Sequence, residues 1–256
     1  RVSQGRGETA RALIAKGAVG AVADLARMES GSVSDLALAL ITELASRDEL
    51  KADVLRQPGC LDALSVMAAD TKDRAMQARV VELLQFASES DELASSLEVS
   101  VVLQWMASPV AELKALGCST IVELASTMTA GSWMRDSVLS DFSRMLQSRV
   151  GPRFATSTGV VLLNVSATLA GREAIGEAMV SAGFLQAFAR VMTQPGMEPE
   201  LLAKTVDVVR ILAESGPAAQ QLIVMHGEGE FLPALMALAH SAIRVIGMSQ
   251  HTAAQL

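Results

Sequence analysis

Apolar and polar positions alternate along this chain in blocks that return about every forty residues. Each block holds a glycine-led apolar stretch, a polar break and a longer apolar segment with helical spacing. Recurrence at a fixed period of this length is the mark of a stacked repeat. The clearest copies are Thr42-Glu43-Leu44-Ala45-Ser46 and Val122-Glu123-Leu124-Ala125-Ser126, displaced by 80 residues, which is two periods.

Each period reads as a short helix, a glycine-containing corner, a second helix, a turn and a third helix carrying the strongest apolar face. Six such units fit in a single domain, 1–256, at roughly 7–46, 47–88, 89–127, 128–169, 170–215 and 216–256. The pattern predicts second helices near Val19 to Met28, Leu61 to Ala69, Val99 to Ala107, Val138 to Leu146, Phe184 to Met192 and Phe231 to Ala239. Gly17, Gly59, Gly183 and Gly229 stand at the corners before four of these. Glycine there supplies the positive φ needed for a sharp change of direction at a helix end. The short first helix is least distinct in the third and fourth units, around Asp91 to Leu97 and Trp133 to Ser137.

The third helices share a register in which Leu44, Phe86, Leu124, Val165 and Leu212 occupy one inner-layer position, at intervals of 42, 38, 41 and 47. One position earlier stand Glu43, Gln85, Glu123 and Asn164. In the fifth copy Ile211 takes that place, and Arg210 is the nearest polar residue. A residue one step before a buried one lies about 100° round the helix, so this polar set can face the groove formed by stacked third helices. Glu43, Gln85, Glu123, Asn164 and Arg210 are therefore the candidate partner contacts.

Composition supports an all-α reading. The chain is 50% hydrophobic and has 13 Met, yet only 3% aromatic residues and no Tyr; its mean hydropathy is +0.35. Ala permits close helix approach and Met fills irregular gaps. A helical bundle would need long helices with few breaks, whereas corners recur here at a steady spacing; two-helix HEAT-like repeats are the nearer rival.

Charge and chemistry narrow the function. The formal net charge is −7, which gives no basis for clamping a phosphate backbone, so nucleic acid is not expected as a partner. The small basic groups at Arg1, Arg6, Arg11 and Lys16, and at Arg149 and Arg153, read as solvated surface. Cys60 and Cys118 lack the paired spacing of a zinc site and read as buried free thiols. No apolar run reaches the ~20 residues of a membrane span. The nearest, Phe231 to Met248, is interrupted by Pro233, His240 and Arg244 and reads as two amphipathic helices. Peripheral association with a membrane complex stays open.

No catalytic constellation emerges. His226, His240 and His251 all fall in the last unit without the helical pairing of a zinc hydrolase. The run Gly227-Glu228-Gly229-Glu230 lacks the Lys and Ser or Thr of a phosphate loop, and its acids would repel the ligand. We expect no enzyme, cofactor, metal or small-molecule substrate. The first residue is Arg1, the expectation being a trimmed chain or a mature one whose targeting segment has been removed; the sequence does not name the compartment, an intracellular one, cytoplasmic or organellar, being the expectation.

The segments Arg11 to Arg27 (RALIAKGAVGAVADLAR), Asp35 to Ser46 (DLALALITELAS) and Gly171 to Met192 (GREAIGEAMVSAGFLQAFARVM) resemble the armadillo repeat family. The resemblance covers nearly the whole chain and is weakest at Glu98 to Gly131 and Trp133 to Arg153. It implies a right-handed α-solenoid of three-helix repeats whose concave surface, lined by third helices, binds a protein partner. Peptide-binding members carry a ladder of third-helix asparagines with tryptophans four residues earlier. Here only Asn164 fills the asparagine position, and Ala39, Val81, Ser119, Val160 and Asp207 occupy the earlier one. Nuclear-import cargo therefore fits poorly. Trp105 and Trp133 are expected to pack.

Two functions follow: a non-catalytic adaptor that binds a partner protein through the concave face, or a structural accessory subunit held in a larger complex, organellar or membrane-associated. A fragment of a longer solenoid is the third alternative, since little polar cap precedes the first helix.

Overall fold

Left-handed glycines punctuate the chain where the sequence calls for corners. Gly17, Gly59 and Gly183 adopt φ of 79°, 73° and 88°, a region that a side chain would strain. Gly59 and Gly183 sit at the N-caps of the helices that follow. The turn at Gly229 adjoins Glu228, which lies outside the described residues. In this computed structural model the described residues are 2–28, 32–71, 73–94, 97–135, 137–149, 157–227 and 229–237. His240, His251 and the predicted helical stretch beyond Ala237 fall outside them, as does the His226 side chain.

The helices come in triplets. In order they are α1 (Val2–Ala15), α2 (Ala18–Met28) and α3 (Ser32–Ala45); α4 (Asp48–Leu55), α5 (Cys60–Asp70) and α6 (Arg74–Glu89); α7 (Asp91–Ala94), α8 (Val99–Ala107) and α9 (Ala111–Thr127). Then follow α10 (Ala130–Trp133), α11 (Val138–Arg149) and α12 (Ser157–Ala170); α13 (Glu173–Ser181), α14 (Phe184–Thr193) and α15 (Pro199–Glu214); and α16 (Pro217–Gly227), with residues 231–237 helical after it. Strands are absent among the described residues. The predicted second helices agree with α2, α5, α8, α11 and α14 to within a few residues. Two first helices shrink to single turns, α7 and α10. In the fourth unit that turn precedes the expected position and ends at Trp133.

Local chemistry sets the ends. Asp73 caps α6, its Oδ1 accepting from the N–H groups of Ala75 (2.9 Å) and Met76 (3.3 Å); such a cap contributes about 1 kcal/mol. Pro199 opens α15, where its missing N–H costs no hydrogen bond. The loop before it turns at Pro195-Gly196, with Gly196 at φ 75°, a corner the period did not anticipate.

The chain forms two compact units, Arg1–Thr120 and Ile121–Leu256. In the first, α2, α5 and α8 pack side by side, and α3 packs on α6. Trp105 and Leu64 are wholly buried between these layers. Gly117 of α9 lies against α8 so closely that an added Cβ would sit 2.8 Å from the Met106 backbone nitrogen. In the second unit α11 packs on α14, α12 on α15, and α13 on α16. Its core is an aromatic run: Trp133 meets Phe142 edge-on at 6.3 Å, Phe142 stacks on Phe184 at 5.6 Å, and Phe184 meets Phe188 at 5.9 Å. All four rings are fully buried, each contributing about 1.5–3 kcal/mol of apolar transfer free energy.

Leu124, Val165 and Leu212 are buried as the register predicts, whereas Leu44 and Phe86 depart from it. On α6 the buried face is Val80, Leu83, Leu84, Ala87 and Ser88, and on α3 it is Leu38, Ile41, Thr42 and Ala45. Phe86 falls outside that stripe and is 38% exposed, while Leu44 is half-buried. The Phe86 ring instead lies under Lys51, whose Nζ is 5.0 Å from its centroid. Ala45, Ala87, Ala125, Ser166 and Leu212 are all buried, so Leu212 aligns with Ala45 rather than with Leu44. Thr42 and Ser166, though polar, donate to Leu38 O and Leu162 O at 2.8 Å, which satisfies them in the core.

Candidate functional site: the third-helix face

Glu43, Gln85, Glu123, Asn164 and Arg210 are all exposed, each two residues after a buried residue (Ile41, Leu83, Ile121, Leu162, Val208) and two before another. In this register Arg210 takes the helix position equivalent to that of the other four, at sequence spacings of 42, 38, 41 and 46, and is no longer offset. The residue four before it becomes Val206 instead of Asp207, and no tryptophan enters that row. Two side chains of opposite preference therefore share each third helix: small and aliphatic groups inward, one polar group outward.

In the first unit, Glu43 on α3 and Gln85 on α6 carry the row. The Gln85 amide donates to Glu89 Oε1 at 2.7 Å along its own helix. An open groove of about 710 Å³ runs between α6 and the start of α9, bounded by Arg74, Ala78, Val81, Glu82, Val110 and Glu112 among others. Gln77 on its wall is fixed, donating from Nε2 to Ala68 O at 2.8 Å. Nearer the first helices, a cavity of about 170 Å³ between α1, α2 and α3 is lined wholly by apolar side chains, Leu13, Leu40 and Leu44 among them.

In the second unit the row is Glu123, Asn164 and Arg210. Lys204 of α15 donates from Nζ to Asn164 Oδ1 of α12 at 3.2 Å, joining two third helices across their exposed face. Arg210 is held on its own helix: Nη2 and Nε meet Asp207 Oδ1 at 2.7 and 3.1 Å, and Nη1 meets Glu214 Oε2 at 2.7 Å. Hydrogen bonds to Asp207 and then Glu214 raise its pKa further above the ordinary arginine value. A shallow pocket of about 450 Å³ lies alongside, formed by Leu202, Ala203, Val206, Asp207 and Arg210.

The two tryptophans take no part in this face. Trp105 and Trp133 are buried, as expected. Lys204 was not among the sequence candidates. It lies six residues before Arg210, outside the periodic column, and only the packing of α12 on α15 brings it to Asn164.

No group of three or more His, Cys, Asp or Glu side chains suited to a metal occurs among the described residues. Burial pushes the Cys60 thiol up to about 12, far from the thiolate a nucleophile requires. No described helix is long and apolar enough to cross a membrane.

Triplets of short, middle and long helices, turned by left-handed glycines and stacked layer on layer, make this an armadillo-like helical repeat fold. Solved structures with a similar arrangement include an engineered protein (19% identity, 85% of this chain and 88% of that one, TM-score 0.47). A designed armadillo repeat protein in complex with the peptide (KR)4 is similar at 16% identity over 84% of this chain and 89% of that one, TM-score 0.48. Computationally designed armadillo repeat proteins for modular peptide recognition match at 14% identity, 84% and 90% coverage and TM-score 0.49. No family model and no curated protein matches the chain.

Proposed function

We propose that this protein is a non-catalytic interaction scaffold that binds a partner protein through its third-helix face, the concave side of an armadillo-like array. Glu43, Gln85, Glu123, Asn164 and Arg210 serve as the polar contacts, and aliphatic neighbours such as Val81 and Val206 supply apolar area. The observation that carries this reading is the exposure of all five residues in one register column, each flanked by buried positions. Within each unit, a polar residue repeated once per helix triplet suits an extended or helical segment that engages successive repeats of that unit.

The test is paired alanine substitution. E43A/Q85A and E123A/R210A should weaken capture of the partner that the wild-type chain recovers from its native source, with the melting temperature nearly unchanged. Unaltered capture by both pairs removes the reading.

A second reading is a structural subunit held permanently in an assembly. It is favoured by Val33, Leu36 and Leu40, which leave α3 with an exposed apolar stripe, Leu36 being 70% exposed. Obligate interfaces are apolar in this way. Isolated protein that remains monodisperse at high concentration argues against it.

A further inference from the structure

We infer that the Asn164 and Lys204 pair on the second unit is a receptor for a carboxylate, so that the partner contributes an acidic side chain at this point. The inference rests on the third-helix face being the docking face.

Its basis is donor and acceptor accounting. An ammonium has donors only, so the contact with Lys204 at 3.2 Å must engage the amide oxygen of Asn164. Occupying that oxygen leaves two N–H groups on Asn164 Nδ2 and the remaining N–H groups of Lys204 for an outside ligand. An asparagine alone offers both a donor and an acceptor and suits a peptide backbone. With one lone pair of that oxygen engaged by a cation, the pair presents an excess of donors, which favours an incoming group that accepts.

Charge points the same way. Lys204 is half-buried, and the partner found for it is the neutral Asn164 amide, so its charge is not cancelled by that contact. The nearest acids on its helix are Glu200, four residues before, and Asp207, three after. No ion pair joins Lys204 to either among the described residues, and Asp207 is taken up by Arg210 at 2.7 Å. Arg210, the other cation of this face, is committed to Asp207 and Glu214 on its own helix. Lys204 therefore retains its charge for a partner where Arg210 does not. The chain as a whole is acidic, with a net charge of −7, so a local receptor of this sign sets the register of a partner instead of attracting it from a distance.

Three fluorescein-labelled octapeptides test this. They carry leucines on either side of two central residues, which are Glu-Glu, Gln-Gln or Lys-Lys, and binding to the full chain is read by polarisation. The Glu-Glu peptide should bind about fivefold more tightly than Gln-Gln at low salt, with the advantage shrinking as salt rises. K204Q should erase that advantage, and K204E should invert it in favour of Lys-Lys, with melting temperatures close to wild type. Equal binding of the three peptides, no binding of any, or an unchanged ranking in K204E overturns the carboxylate assignment. Those outcomes leave E43A/Q85A to decide the broader docking role, since that variant lies on the other unit and leaves Lys204 intact.

Discussion

The indole N–H of Trp105 donates to the hydroxyl of Ser65, 40 residues earlier, at 2.5 Å. Ser65 in turn donates to Leu61 O at 2.6 Å, so a buried relay ties the second helix of one repeat, α8, to that of the repeat before it, α5. Trp105 is wholly buried and Ser65 nearly so, and at that depth the indole N–H has no water to fall back on. S65A should cost about 1–3 kcal/mol, because it leaves the indole donor unsatisfied while removing only one small polar group. S65A/W105F should cost less than the sum of the single changes, since the donor leaves with its acceptor. Urea denaturation of the four proteins checks both statements; strict additivity would show the relay to be energetically idle.

Gly117 brings α9 into close contact with α8. An alanine methyl there would stand 2.8 Å from the Met106 nitrogen and 2.9 Å from its Cγ. The Met side chain can shift, but the backbone cannot without moving the helix. G117A should therefore destabilise by about 1–3 kcal/mol despite alanine's better helix propensity. Replacing Gly131, whose added Cβ would meet nothing nearer than 3.9 Å, should be close to neutral. Thermal melts of the two variants distinguish the two sites.

Arg172 closes the end of α9 from the start of the fifth repeat, donating from Nη1 to Met128 O at 2.7 Å and from Nη2 to Ser126 O at 3.0 Å. Those carbonyls lie at a helix C-terminus, where a cation is also favoured by the helix dipole. R172A should cost about 1–2 kcal/mol, and R172K should recover only part of it, because one ammonium cannot reproduce a fork reaching two carbonyls. Chemical denaturation of both variants measures the difference, and equal stability of Lys and Arg would remove the fork argument.

Cys60 adds a pH dependence. Its thiol is raised to about 12 by burial alone, whereas in the unfolded chain it titrates near the ordinary value of about 8.5. The unfolded state thus loses its proton first, so stability from this group is intact below that ordinary value and falls as pH rises towards the folded one. In a C118S background, Cys60 should resist alkylation at pH 8 until denaturant is added, and C60A should flatten the loss of stability above pH 9. Rapid labelling of the native protein would contradict the burial.

Much of this architecture is readable from residues. A left-handed glycine ahead of an apolar run located α5 and α14 within a residue or two, because glycine at a corner and an aliphatic stripe are both local signals. The register of the last third helix was less legible. Val208, Val209, Ile211 and Leu212 are all apolar, so periodicity alone accepts either of two phases, and only burial chooses the one that sets Arg210 in the row. Phe86 misled for a related reason. Its size suggests an inner position, but a lysine from the preceding short helix gives the ring partial cover at the surface. The aromatic run of the second unit joins residues 133, 142, 184 and 188, a spacing that belongs to three helices and to no single period. The candidate face was legible as a column of polar residues; its chemistry at Lys204 was not, because a neighbour supplied across two helices leaves no periodic trace.

The placement of the tryptophans has a spectroscopic consequence. The chain has 2 Trp, and one falls in each compact unit: Trp105 in Arg1–Thr120, Trp133 in Ile121–Leu256. Each is enclosed, so each should emit at short wavelength while its own unit is folded and shift red when that unit opens. W133F makes fluorescence a reporter of the first unit, and W105F of the second. Overlaying the two melting curves on the wild-type one then reads whether the halves lose their structure as one cooperative body or in sequence.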